Sequence, residues 1–196
     1  MAARGFNIAL VSRSRAKLDA VAKRCQTAGA QTRIVEADFS LQGKGKKTEI
    51  EAFYRNIYRQ LEDLDVSILV NNAGVMYTQQ FHSLPADSPR WRDTVDVNVM
   101  QVAMMTALFR DKLLARANKG KHAAIINVSS TIAFIHGCPG AAIYNSTKAF
   151  VNYFTVALAQ ELAGKVDVQC LVPNMTRTNL LSWANFKAPA LLALSP

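Results

Sequence analysis

Five short apolar stretches recur along the chain: "FNIALVS" (6–12), "TRIVEA" (32–37), "VSILV" (66–70), "AAIINV" (123–128) and "VDVQCLV" (166–172). Each is rich in Val, Ile and Leu and too short for a buried helix, so each reads as a strand. Between them the apolar spacing predicts helices near 14–27 and 48–60, from about Ser88 to Ala117, and from Ala142 to about 163. Strands alternating with helices pair in parallel, with crossover helices covering both faces of the sheet. The expected fold is therefore α/β, a doubly wound parallel sheet. Its 196 residues are expected to form one domain over 1–196. Such sheets bind ligands beyond the carboxyl ends of their strands, which is where chemistry should be sought.

Composition removes several function classes. Half the residues are apolar and 19% are charged, a globular balance. The apolar runs are interrupted, so no bilayer span is expected, and Asn7, Arg13 and Arg15 break the N-terminal run as a signal peptide. Cys25, Cys138 and Cys170 have no CxxC spacing and cannot all pair, which points to a reducing compartment. The sequons at Asn127, Asn145 and Asn174 fall at strand ends or among the residues singled out below and read as chance matches. The +9 charge is concentrated in "RSRAKLDAVAKR" and "GKGKK", without interleaved aromatics. It reads as a solvated helix face and a charged connector; neither nucleic acid nor a metal is an expected partner.

The strand ends carry the chemistry. "LVNNAG" puts Asn71, Asn72, Ala73 and Gly74 just after the third strand, and Gly74 lets a ligand approach the backbone. "VDVNVM" sets Asn98, a poor helix former, inside a long helix, where it would kink the helix to position a water or sit as a tolerated polar residue. After the fourth of these strands, Ser130 lies where a hydroxyl could hold a carbonyl oxygen. Tyr144 and Lys148, four residues apart, share one face of the following helix. A phenol titrates near pH ~10, and a neighbouring ammonium is expected to favour its anion and make it a usable acid or base. "VPNMTRT" closes the set, with Pro173 turning the chain and Thr176 and Thr178 offering hydroxyls.

NNAG, an Asn in the next helix, Ser130, Tyr-x-x-x-Lys and Pro-x-x-x-x-Thr occur in one order, and in that order the sequence resembles the short-chain dehydrogenase/reductase family over essentially its whole length. "RGFNIALVSRSRAKLDAVA" and "IYNSTKAFVNYFTVALAQEL" are most similar to the very-long-chain 3-oxoacyl-CoA reductases and related hydroxysteroid dehydrogenases. The resemblance implies a Rossmann-like fold and reduction of a ketone or 3-oxoacyl group on a lipid-like substrate, such as a long-chain 3-oxoacyl-CoA or a steroid. It makes Tyr144 the proton donor or acceptor and gives Lys148 the nicotinamide ribose and a lowered phenol pKa to maintain. Ser130 would orient the carbonyl and Asn98 complete a proton relay. Asn71, Asn72, Ala73, Gly74, Pro173, Thr176 and Thr178 would line the cofactor, and Asp38 would contact the adenine. Two features depart from the family pattern. The Ser130–Tyr144 interval is one residue longer than usual, so Thr131 is an alternative to Ser130, and Asn174 follows Pro173 where glycine is usual.

An NAD site usually places an acid after the second strand of this fold; here that position reads Ser12-Arg13-Ser14. Arg13 can pair instead with a 2′-phosphate, so NADP(H) is expected over NAD(H). Family members of this kind work at the cytosolic face of the endoplasmic reticulum membrane, anchored by further segments; a cytoplasmic location is the alternative. The helices over 88–117 and 142–163 are expected to support a homodimer. The apolar segment 179–196, with Trp183 and Phe186, would be a lid or a plain edge helix.

"MAARG" reads as the last turn of a helix capped by Gly5. Against the family pattern, the first strand and its glycine-rich loop and the final strand are expected to be lacking. The "GKGKK" run follows no strand and does not replace that loop. A catalytically silent product of the same fold, acting as an interaction module, is therefore the alternative to an active reductase.

Overall fold

The computed structural model describes residues 1–40 and 47–174, and the chain divides into two compact units, Met1–Leu64 and Asp65–Pro196. In the first, a 3-10 turn over Ala2–Arg4 ends at Gly5, whose φ of 86° lies in the left-handed region. This is the helix end that the opening residues predict. Strand β1 (Ile8–Ser12) leads into helix α1 (Arg15–Thr27) and returns as β2 (Thr32–Glu36), parallel to β1 in the register Ile8↔Thr32 to Ser12↔Glu36. Helix α1 stops in a Schellman motif. The Ala30 N–H reaches the Cys25 carbonyl and the Gly29 N–H that of Gln26, with Gly29 at φ 87°. Leu18 and Ala22 from α1, Val35 from β2, and Tyr54 and Ile57 from α2 (Lys47–Arg59) are buried in this unit.

The second unit is built on a parallel sheet of order β3-β4-β5, with β3 at Ile68–Asn71, β4 at Ala124–Val128 and β5 at Asp167–Leu171. The expected long helix is present in three parts. Helix α3 (Pro89–Val95) passes through a π-helical turn at Asp96–Met100 into α4 (Gln101–Ala117). The π turn is centred on Asn98, the residue whose poor helix propensity marks a break there. Helix α5 (Ala142–Glu161) joins β4 to β5 and buries Tyr144, Thr147, Lys148, Val151, Thr155 and Leu158, a stripe at i, i+3/i+4 spacing.

Register sorts the sheet into two faces. Leu69, Ile125 and Val168 form one rung and Asn71, Asn127 and Cys170 the next, on the face where Leu69, Asn71, Ile125 and Asn127 are buried. Met105, Phe109 and Leu113 of α4 and Val151 and Leu158 of α5 are buried with them. On the opposite face Val70 keeps 42% of its surface exposed and Leu171 49%. Within this unit, then, one face of the sheet is well covered, where the apolar strands predict two. Strands β1-β2 and β3-β4-β5 form separate sheets.

Candidate active site

Tyr144, Lys148, Ser130, Asn98 and Gly74 all belong to the second unit and lie at the carboxyl ends of β3 and β4 or on helices that start there. Tyr144 is 6% and Lys148 5% exposed. The Lys148 ammonium lies 5.8 Å from the centre of the Tyr144 ring and donates to the Val128 carbonyl at 2.9 Å. One residue on, the Ser129 hydroxyl donates to the Lys148 carbonyl at 2.8 Å. Both ends of this lysine are thus tied to the tip of β4. Ser129 carries no signal in the sequence beyond being a polar residue at a strand end.

The Ser130 hydroxyl lies near enough to the Tyr144 phenol to favour its anion. Its neighbour Thr131 is turned elsewhere, with its hydroxyl donating to Asn174 and its N–H to the Pro173 carbonyl. Of the two candidates left open by the long interval, Ser130 is the one beside Tyr144. The extra residue is absorbed in a 3-10 turn at Thr131–Phe134 and the loop after it. Asn145, next to Tyr144, fastens that loop by donating to the carbonyls of Ile132 and Ile135.

Asn98 is fully buried, and its amide is completely engaged. Its Oδ1 accepts from the Val75 N–H at 2.9 Å, while its Nδ2 donates to the Val75 carbonyl at 2.9 Å and the Thr147 hydroxyl at 3.1 Å. It joins the loop after β3 to α5. Thr147 was legible as a site residue, because it sits three positions after Tyr144 on the same helical face. A β-carbon added at Gly74 would stand 3.5 Å from Asn98 Oδ1 and 3.6 Å from Lys148 Nζ, in ordinary contact with both, so Gly74 lies at the junction of these two side chains. Asn72 is exposed, whereas Asn71 is 1% exposed and its amide bonds inward to Thr106, Asn127 and Gln101. The side chain of Asn71 therefore faces the interior and not the ligand edge.

The electrostatics correct one expectation. The Tyr144 phenol is raised above its ordinary value, because burial penalises the phenolate. Ser130 opposes that rise, and burial outweighs it; the ammonium of Lys148 is not among the causes of the shift. Burial also lowers the Lys148 pKa to about 8, with the nearby Cys170 thiol acting weakly the other way.

In the first unit, Ser12 and Arg13 follow β1 and are exposed, and the Arg13 guanidinium has no polar partner among the described residues. The Asp38 carboxylate caps its own loop, accepting from the Ser40 N–H at 3.0 Å and hydroxyl at 2.8 Å. Thr176, Thr178 and the segment 179–196 lie outside the described residues.

A parallel sheet with Ser, Tyr and Lys gathered beyond its carboxyl edge defines a Rossmann-like α/β domain. The chain belongs to the short chain dehydrogenase family, whose profile matches residues 1–187. It is 34% identical over 195 residues to the very-long-chain 3-oxoacyl-CoA reductase of Anas platyrhynchos, covering 96% of this chain and 58% of that protein. It is also 34% identical over 189 residues to the inactive hydroxysteroid dehydrogenase-like protein 1 of Homo sapiens, covering 95% and 53%. The chain thus spans about half the length of the curated relatives it matches. Among solved structures, a short-chain dehydrogenase from Sphingobium yanoikuyae in complex with NADPH superposes with a TM-score of 0.79 at 27% identity, over 98% of this chain and 71% of that one.

Burial of Lys148 makes a prediction with a definite sign. Below pH 8 the lysine is protonated in both folded and unfolded chains, and the folded chain bears the full desolvation cost. Between about 8 and the ordinary value of 10.5 the folded chain releases its proton first, so stability rises with pH and the cost then disappears. Lys148→Met should be more stable than the native sequence at pH 7, by on the order of 1–3 kcal/mol. Urea unfolding should find the gap closing towards pH 10. A gap independent of pH would show that the lysine is not buried as described.

Proposed function

We propose that this chain is the catalytic part of a reductase that converts a ketone or 3-oxoacyl group to a hydroxyl with a nicotinamide cofactor. The observation that carries this reading is the buried Tyr144 phenol, with the Ser130 hydroxyl acting on it and the Lys148 ammonium over its ring. Bound NADPH would supply the hydride. Tyr144, with its pKa raised, stays protonated at neutral pH and is ready to donate to the oxygen of the carbonyl as charge develops there. Ser130 would hold that oxygen in line and ease the charge left on the phenol, and Lys148, tied to the tip of β4, would take the nicotinamide ribose. Asn98 is the fourth member of the relay, acting by setting the loop after β3 and Thr147 beside Tyr144. Asn72, Ala73, Gly74, Lys148, Pro173, Thr176 and Thr178 would line the nicotinamide end of the cofactor. Asn71 would support them from below, and Ser12, Arg13 and Asp38 would take the adenosine end, so that residues 1–196 serve as one functional domain. A relative named as inactive is as similar as one named as a reductase; the intact Ser130, Tyr144, Lys148 and Asn98 favour the active reading.

Four features support the finer assignments. The Arg13 guanidinium, free of polar partners among the described residues, suits a 2′-phosphate and hence NADPH. Phe134 and Ile135, in the loop after Ser130, are 64% and 53% exposed, an apolar border suited to a long acyl chain or a steroid. Likeness to the 3-oxoacyl-CoA reductases suggests the cytosolic face of the endoplasmic reticulum membrane, although no helix among the described residues is long and apolar enough to cross one. On α5, Phe150, Tyr153 and Val156 are 36%, 80% and 58% exposed, beside an apolar cavity of about 390 Å³ lined by Phe81, Val95, Val99 and Ile143. These faces would bind a second copy of the chain.

In the full-length enzyme, Tyr144→Phe removes the transferable proton with little loss of volume. Carbonyl reduction followed by NADPH oxidation should fall at least ~10²-fold; near-normal turnover would overturn the assignment. Arg13→Asp should weaken NADPH while sparing or improving NADH, because it removes the phosphate partner and adds a ribose acceptor. Equal loss for both cofactors in a binding titration would make Arg13 structural. For the dimer, a paired Tyr153→Glu and Val156→Glu change should convert a dimer to a monomer in sedimentation; a native monomer would refute that interface.

A further inference from the structure

One rung below the strand tips, a line of buried polar side chains crosses the sheet. Gln101 on α4 donates to Asn71 Oδ1 at 3.2 Å, and Asn71 Nδ2 donates to the Thr106 hydroxyl at 3.1 Å and to Asn127 Oδ1 at 2.8 Å. Asn127 Nδ2 donates to the Thr155 hydroxyl on α5 at 3.0 Å, and that hydroxyl donates to the Val151 carbonyl. All five side chains are at most 4% exposed. The direction of the line is fixed by counting protons. The single proton of Thr155 is committed to Val151, so Thr155 must accept from Asn127. Asn127 must then present its oxygen to Asn71, and Asn71 its nitrogen to Asn127, leaving Asn71 Oδ1 for Gln101. The sense of hydrogen bonding therefore runs from α4 through β3 and β4 and ends on the backbone of α5.

Its end point has a consequence for Tyr144 and Lys148. Thr155 lies two helical turns beyond Lys148 and three beyond Tyr144, on the same buried stripe of α5. Near the other end of that stripe, α5 is held to β4 through Val128 and Ser129. Two attachments to one strand fix both the rotation and the axial setting of a helix, whereas apolar packing alone allows sliding by tenths of an ångström. Such small shifts matter to an acid that must meet a carbonyl oxygen. We propose that Thr155 and Asn127, backed by Asn71, are positioning residues for Tyr144 and Lys148. The inference rests on the reading of that pair as the catalytic acid and its partner.

The test is a matched pair of substitutions at Thr155, remote from the reacting atoms. Thr155→Val keeps the shape and removes the hydroxyl, leaving Asn127 Nδ2 without an acceptor; Thr155→Ser keeps the hydroxyl. The readouts on the full-length enzyme are kcat and KM with NADPH and a 3-oxoacyl-CoA, melting temperature, and the titration of Tyr144 by ¹³Cζ-tyrosine NMR, assigned through Tyr144→Phe. The titratable groups near Tyr144 and Lys148 are that pair and Cys170 on β5; the Thr155 hydroxyl also acts on the Cys170 thiol, so the serine variant, which keeps the hydroxyl, controls for that effect. Expected is a kcat at least tenfold lower in the valine variant with KM within about twofold, a displaced Tyr144 titration, and restoration of both by serine. A valine variant with a lower melting temperature but native kcat and native Tyr144 titration would overturn the proposal and leave the line a structural one. Should valine prevent folding, Thr155→Ala, which leaves room for a water to accept from Asn127, is read the same way. If the native enzyme reduces no carbonyl, the functional reading fails, while the Tyr144 titration still decides whether Thr155 positions the phenol.

Discussion

The constraint on which the second unit depends is the burial of a positive charge at the tip of β4. An ammonium removed from water costs several kcal/mol unless its protons find acceptors. The Val128 carbonyl is the acceptor that holds Lys148, and it is available only because β4 ends there and its last carbonyl projects beyond the strand. This bond ties α5 to the strand end one turn beyond Tyr144. Ser129 completes the attachment from the backbone side. The lysine is thus held at the strand tip although it remains a net burden on the fold at neutral pH.

Much of this was open to reading in the sequence, and the reasons for success and failure are physical. Short apolar runs alternating with amphipathic ones have one economical solution, so strands and helices were found within a residue or two. Helix α1 was expected near 14–27 and spans Arg15–Thr27; β5 was expected at 166–172 and spans Asp167–Leu171. Asn98 in an otherwise helical run marked the π turn, because a side chain that competes for backbone partners is costly in a regular helix. The sign of the Tyr144 shift was not legible. Spacing says that Lys148 is near, but not that the phenol is buried deeply enough for desolvation to set the sign. The line through Asn71 and Asn127 was equally hidden. Polar residues near strand ends look like ligand-edge residues until register shows that Asn71 and Asn127 share a rung on the covered face.

That rung also separates two jobs that the sequence runs together. In β4, Asn127 faces α5 and is fully buried, while the next residues, Val128 to Ser130, supply the carbonyl and two hydroxyls of the site. In β3, Asn71 turns inward and Asn72 outward. Each strand thus ends in an inward amide that joins the sheet to its helices, followed at once by residues that face the chemistry. The strand period of two makes this division sharp, since a one-residue slip would exchange an anchoring group for a reacting one. Lateral hydrogen bonds between Asn71 and Asn127 oppose that slip, because a shifted register would leave both amides buried without partners.

Above this frame lie the loops that follow the strands, where the proposed function puts substrate choice. The loop after β4 exposes Phe134 and Ile135, yet its base is pinned by Asn145 and by the Thr131 contact with Pro173. A border anchored at its base and apolar at its tip can vary its outer residues without moving Ser130. Anchors of this kind let one family keep a fixed acid and oxygen-binding pair while its members differ in the carbonyl compounds they accept. In this chain the tie between Asn145 and the loop carbonyls also links the border to α5 itself, so on the proposed reading a ligand resting on Phe134 or Ile135 would bear on the residue next to Tyr144. Binding energy gathered at the apolar tip can in this way bear on the position of the acid, which is where it would change rate as well as affinity.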